Sequence, residues 1–229
     1  MLNMKNWQKS LEFFNSITTS PSREGQAEVV SRLVDLDLLE NLCIIETGAS
    51  QDPEDGCFGI LFAHLAFENS GEFHSVDVDH GISEKSKALF KDTLPEFKSC
   101  YHYTEDSVKF LKEFSGTPTL VHLDSWDLDI YNPEPAMLHG FLEFLAIKDK
   151  MESGSYIVVD DNFMRGTIIY WNIFYDGKIV KTEDHEVKQE ILGKGSMIYH
   201  YCKSPESDWE IMGDHYVAGP NAKLVIKKK

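Results

Sequence analysis

Five short apolar runs constrain this chain more than anything else in it, because each ends on a carboxylate and four of them lead into a helical pattern. The runs are "NLCIIET" (41–47), "EFHSVDVD" (72–79), "FKSCYHY" (97–103, with Glu105 and Asp106 just beyond), "TLVHLD" (119–124) and "SYIVVDD" (155–161). Between them lie "CFGILFAHLAFEN", "ISEKSKALFKDTL", "EDSVKFLKEF" and "PAMLHGFLEFLAIKDKM", with apolar residues at helical spacing and Pro135 in the first turn, where its missing N–H costs nothing. Strands alternating with helices of about 10–15 residues predict βαβ units and a mostly parallel sheet covered on both faces. The expected class is α/β, Rossmann-like.

The ends of the chain read differently. Residues 5–19 and 24–40 predict two helices, the second with Ser22 as N-cap, Glu24 in its first turn, and Val29, Val30, Leu33, Leu36 and Leu39 along one face. After about residue 166, "IIYWNIFYDGKIV", "SMIYHYC" and "AKLVIKK" read as strands without long helices between them. They are expected to add antiparallel strands to one sheet edge. One domain over 1–229 follows: N-terminal helices (1–41), a ligand-binding core (42–165) and C-terminal edge strands (166–229).

A length of 229 residues suits one domain with a sizeable core. No apolar run approaches the roughly 18 residues of a membrane helix. The start, "MLNMKNWQKSLEFF", reads as an amphipathic helix and not as a signal peptide. A cytoplasmic protein is expected. Cys43, Cys57, Cys100 and Cys202 are scattered without metal-ligand spacing, which suits reduced thiols. The formal charge of −16 argues against nucleic acid and anionic membrane as partners, since both require dense Lys and Arg.

In an open parallel sheet, ligands bind beyond the carboxyl ends of the strands. The residues there are Glu46-Thr47-Gly48, Asp77 and Asp79, Glu105-Asp106-Ser107, Asp124, and Asp160-Asp161-Asn162. Any one of these acids reads first as a helix N-cap. Together on one rim they would repel one another unless a cation or a polyhydroxylated ligand were held there. Gly48 lets backbone approach a ligand. The absence of G-x-G-x-x-G argues against a dinucleotide. An acid after the second strand, Asp77, suits the hydroxyls of a ribose. An adenosine compound without pyrophosphate fits this set.

The order E-x-G, Asp77, Asp106-Ser107, "LDSW" (123–126) and "VVDDN" (158–162) resembles class I S-adenosylmethionine-dependent methyltransferases. Within them it is similar to the metal-dependent O-methyltransferases of the catechol and macrocin types, over residues 42–165. The resemblance implies that Glu46, Gly48 and Ser50 line the methionine end of the cofactor, that Asp77 holds the ribose, and that Asp106 and Ser107 lie beside the adenine. It implies that Asp124, which would also border the cofactor, binds Mg²⁺ or Mn²⁺ with Asp160 and Asp161. Such an ion would lower the acceptor's pKa and orient it. Catechol-type enzymes carry a lysine three residues after the first metal aspartate; here that residue is Asp127. Asp124 and Asp127 are therefore the candidate proton acceptors, ahead of His139 and His80. A small hydroxyl compound such as a sugar is the expected substrate, and an added edge strand could mediate a homodimer.

The competing readings come from other classes. "DVD" (77–79) or "DLD" (127–129) could be the metal-binding D-x-D of a nucleotide-sugar glycosyltransferase, and "DSWDLD" could carry an aspartyl phosphatase nucleophile. A non-catalytic ligand binder is the remaining class. His122, inside a strand, reads as core. Trp126 reads as core or rim packing, and "GKGS" (193–196) as a hairpin turn.

Overall fold

A computed structural model describes residues 3–18, 21–35, 41–52, 57–175, 178–213 and 222–229. In chain order the elements are α1 (Asn3–Ile17), α2 (Pro21–Leu33), β1 (Cys43–Thr47), α3 (Phe58–Glu68), β2 (Glu72–Asp77), α4 (His80–Thr93), β3 (Cys100–Thr104), α5 (Ser107–Glu113) and β4 (Leu120–Leu123). They continue with α6 (Glu134–Ile147), β5 (Tyr156–Met164), β6 (Ile168–Tyr175), β7 (Lys178–Glu186), β8 (Ile191–Gly193), α7 (Ser196–Cys202), β9 (Trp209–Ile211) and β10 (Ala222–Lys228).

The main sheet runs β3-β2-β1-β4-β5-β10-β9, with β8 paired to the far end of β5. The first five strands are parallel, and β10 lies antiparallel to both β5 and β9. Side-chain alternation along these strands builds two cores. Ile44, Phe73, Leu120, Tyr156 and Val158 pack with α1, α2 and α3 on one face. Ile45, Val76, Val121, Ile157 and Val159 pack with α5, α6 and α7 on the other. Burial on both faces is what made these strands read as apolar runs.

Four sequence expectations change. "SMIYHYC" forms α7 and not a strand, because Ile198, Tyr199 and Cys202 bury one helical face against the second core. "GKGS" is the turn from β8 into α7 and not a hairpin. "IIYWNIFYDGKIV" forms a separate two-stranded sheet, β6-β7, and does not extend the main one. The second helix starts at Pro21, so Ser22 lies inside it and is not its cap, and its proposed continuation through Leu36 and Leu39 lies outside the described residues. All four cysteines are free thiols. Among the described residues no helix is long and apolar enough to cross a membrane.

Candidate active site

The strand order reverses between β1 and β4, and a cavity of about 560 Å³ opens beyond the carboxyl ends of the strands there. Gly48, Ser50, Asp77, Asp106, Ser107, Asp124, Asp127, Asp160 and Asp161 all line it. Acids scattered from Asp77 to Asp161 thus share one rim because the parallel crossovers return every strand end to it.

Gly48 sits at φ +78°, and a Cβ there would overlap the carbonyl of Asp124. Glycine is required both for the backbone conformation and for this close approach of two strand ends. Asp77 Oδ2 accepts from Ala49 N (3.0 Å) and Oδ1 from Asp79 N (2.8 Å), which fixes the carboxylate while leaving lone pairs toward the cavity. Asp79 and Asp106 are the N-caps of α4 and α5, accepting from Ile82 N (3.0 Å) and Lys109 N (2.8 Å). Ser107 is hydrogen-bonded to His139 Nε2 at 3.1 Å. Behind that ring lies buried Glu143, 3.6 Å from Nε2, which pushes the imidazole pKa up and accepts from Ser125 Oγ at 2.6 Å.

The expectation for Glu46 is corrected. Its carboxylate is fully buried beneath the β1 loop and does not line the cavity. It accepts from Ser50 Oγ (2.8 Å), Ser75 Oγ (3.1 Å) and Ser50 N (3.3 Å). Glu46 therefore anchors the loop that carries Gly48 and Ser50. A buried carboxylate needs such partners, and here the loop itself supplies them. His122 is core, as expected: it is fully buried and packs against Phe58 and Phe62. Trp126 lies on the rim, more than half exposed, at φ +62° and against His139. Asp127 is exposed at the cavity mouth, and His80 does not line it.

Asp124, Asp160 and Asp161 do come together, but two lysines that sequence reasoning passed over come with them. Lys194 Nζ contacts Asp124 Oδ1 (2.8 Å), Asp161 Oδ2 (3.0 Å) and the Asp124 carbonyl (3.3 Å). Lys223 pairs with Asp160 and lies 4.2 Å from the centre of the Phe58 ring. Both ammoniums are buried. The delivery is built into the backbone. Lys194 stands in the turn between β8 and α7, where Gly193 pairs with Asn162 and Gly195 N donates to Asn162 Oδ1 at 2.8 Å. Lys223 stands at a register shift in the β10–β5 pairing, between Ala222 and Leu224, opposite the end of β5.

These charges set the protonation states. Burial and the neighbouring Asp160 push the Asp124 carboxyl up to about 6, against the pull of Lys194. Burial would also raise Asp160, but Lys223 and Lys194 outweigh it and hold that carboxyl below the usual range. Lys194 is held above the usual lysine range: burial opposes its charge, and Asp124, Asp161 and Asp160 overcome that.

The donor set fits one expected group and not the other. For an adenosyl cofactor the close-packed Gly48 turn, the fixed Asp77 carboxylate and the Asp106-Ser107 pair all face a cavity of suitable volume. For a divalent ion the oxygens must be free. His122, Asp124 and Asp160 do offer donor atoms within 4.8 Å of one another. Ammonium nitrogens, however, already hold both carboxylates. An ion about 4 Å from an ammonium would meet about 4 kcal/mol of repulsion per unit of its charge at an effective dielectric of about 20. The metal site expected at Asp124, Asp160 and Asp161 does not fit a resident divalent cation.

No protein-family model and no curated protein matches the sequence. Solved structures do. An S-adenosylmethionine-dependent methyltransferase from Clostridium acetobutylicum aligns with a TM-score of 0.54 at 12% identity, covering 92% of this chain and 93% of that one. Magnesium protoporphyrin IX methyltransferase from Synechocystis, solved with bound SAM, aligns at 0.52 and 12% identity, covering 90% and 79%. SMU.1697c from Streptococcus mutans, solved in complex with SAH, aligns at 0.54 and 11% identity, covering 89% and 98%. rRNA methylases occur among the further matches. At these identities the likeness is one of fold, and the chain has the Rossmann-like fold of these methyltransferases.

Proposed function

We propose that this protein is an S-adenosylmethionine-dependent methyltransferase that acts on a hydroxyl of a small molecule. The observation that carries the reading is the cavity at the β1/β4 switch, where Gly48, Asp77, Asp106 and Ser107 meet Asp124. The cofactor supplies an electrophilic methyl group on a sulfonium when bound. The surrounding acids complement that positive charge. Asp77 receives the ribose hydroxyls, and the α5 N-terminus with Asp106 and Ser107 borders the adenine.

Asp124 is the proton acceptor. Its side chain keeps 26% of its surface open, on the cavity side, and its carboxyl sits at about 6, so it is ionised at neutral pH yet basic enough to take a hydroxyl proton as the new oxygen–carbon bond forms. The bound cofactor would supply the methyl carbon to that oxygen and keep the bonding electron pair on its sulfur. Asp127, exposed at the mouth, is placed to contact the acceptor and not the reacting oxygen. Trp126, on the cavity rim and more than half exposed, provides apolar surface for the rest of the acceptor.

Calorimetry with S-adenosylhomocysteine tests this. One site per chain is expected, weakened at least about tenfold in Asp77→Ala, since a hydrogen bond to a charged group is worth about 1.5–3 kcal/mol. No binding by the folded wild type, or binding of a uridine nucleotide in its place, would return the D-x-D glycosyltransferase reading.

A further inference from the structure

The methyltransferase reading leaves open what takes the place of the divalent ion. Resting on that reading, we infer that Lys194 is the built-in cation of the acceptor site, a positioning residue that makes the site metal-independent. The geometry is that of a substituted charge. Three carboxylates meet at the end of β5, and two ammoniums reach them from the β8–α7 turn and from β10. Lys223 is consumed by Asp160 and fully enclosed beside Phe58. Lys194 is different: its side chain is 3% exposed, yet it forms part of the cavity wall beside Asp124. The cluster keeps one negative charge in excess, and Asp124, with 26% of its side chain open, is the most exposed of the three carboxylates.

Its backbone cannot drift. Gly140 of α6 has no space for a Cβ because the Lys194 carbonyl is 2.8 Å from that position. Asn162 binds Gly195 N, and Lys194 N donates to the Asp161 carbonyl at 3.3 Å. Of the three contacts made by the ammonium, two are to carboxylates at 2.8 and 3.0 Å. The third, at 3.3 Å to the Asp124 carbonyl, is the loose one, and that N–H is the donor free to turn toward an acceptor oxygen. A hydroxyl seated here gives its proton to Asp124 and presents its oxygen to Lys194. A metal ion chelates paired oxygens; one ammonium does not. The acceptor is therefore recognised through a single hydroxyl and not through a vicinal pair.

Mn²⁺ is the probe, because its binding is read by electron paramagnetic resonance without knowledge of the acceptor. The wild type, metal-free and loaded with S-adenosylhomocysteine, is expected to bind no Mn²⁺ at submillimolar concentration. Lys194→Met releases Asp124 and Asp161, and should gain one Mn²⁺ per chain. That gain should vanish in Lys194→Met/Asp161→Asn. Stoichiometric Mn²⁺ on the wild type that is lost in Asp160→Asn overturns the inference, and so does a folded Lys194→Met that gains none. If Lys194→Met does not fold, Lys194→Gln is read in the same way, and the wild-type measurement decides without either. Calorimetry on the same samples separates the two readings: failure to bind S-adenosylhomocysteine removes the methyltransferase assignment, whereas the Mn²⁺ result bears on Lys194 alone.

Discussion

Gly59 and Gly25 show how differently one residue type is used. Gly59 opens α3 directly against the Glu46 carboxylate, and a Cβ there would occupy the space of that carboxylate. Glu46 cannot retreat, since Ser50, Ser75 and the fully buried His122 surround it. Gly59→Ala is therefore expected to destabilise the fold by about 1–3 kcal/mol, and more if a Glu46 hydrogen bond is lost. Gly25 lies in α2 with nothing within 4 Å of the corresponding position. Gly25→Ala should stabilise by about 0.5–1 kcal/mol through helix propensity alone. Urea denaturation of the two variants checks both signs; equal effects would mean that Glu46 is not packed as described. The buried Glu46 also marks a boundary of sequence reasoning. The family resemblance makes Glu46 a ligand contact, and only the loop folding back over it shows that it is an anchor.

The end of β5 shows which parts of the site were legible. Strands β1 to β5 and their acids follow from patterns within a few residues: a short apolar run, a carboxylate at its end and, after four of the five, a helical pattern. These patterns put Asp124, Asp160 and Asp161 on one rim with the other strand-end acids, and the family resemblance singled the three out as a group. Their partners could not be read in this way. Lys194 arrives 70 residues after Asp124, and its position depends on β8 pairing with β5. Lys223 depends on the register shift in β10. Both had weak local signals: a lysine between two glycines ahead of an apolar helix, and a lysine two residues from Val225 on the face that enters the core. The energetic consequence is testable. Lys223→Met strands the Asp160 charge in a buried site and is expected to cost about 3–5 kcal/mol, whereas Lys223→Met/Asp160→Asn should recover most of that. Denaturant melts of the single and double variants measure the difference, and a double variant no better than the single would show that the two residues do not act as a pair.

The charge of the molecule bears on the class of the acceptor proposed above. An enzyme from Clostridium thermocellum named for rRNA shares this fold, so architecture alone leaves the acceptor's size open. With 38 acidic against 22 basic residues the chain carries −16, and the exposed side chains at the cavity mouth include Asp79, Asp106 and Asp127. Among the described residues the lysine that lines the cavity is Lys194, which is buried and already engaged with two carboxylates. A polynucleotide must gain affinity from phosphates meeting Lys and Arg, with release of counterions. Here each phosphate brought to the mouth would approach carboxylates in its place, and lowering the salt would strengthen the repulsion. A small neutral acceptor escapes this cost because it brings no charge of its own. Structured RNA is accordingly expected to show no mobility shift with this protein at low ionic strength, under conditions where S-adenosylhomocysteine binds. A shift that weakens steeply with added salt would reveal a basic surface elsewhere on the chain that outweighs the acidic mouth, and the acceptor would then have to be sought among nucleic acids.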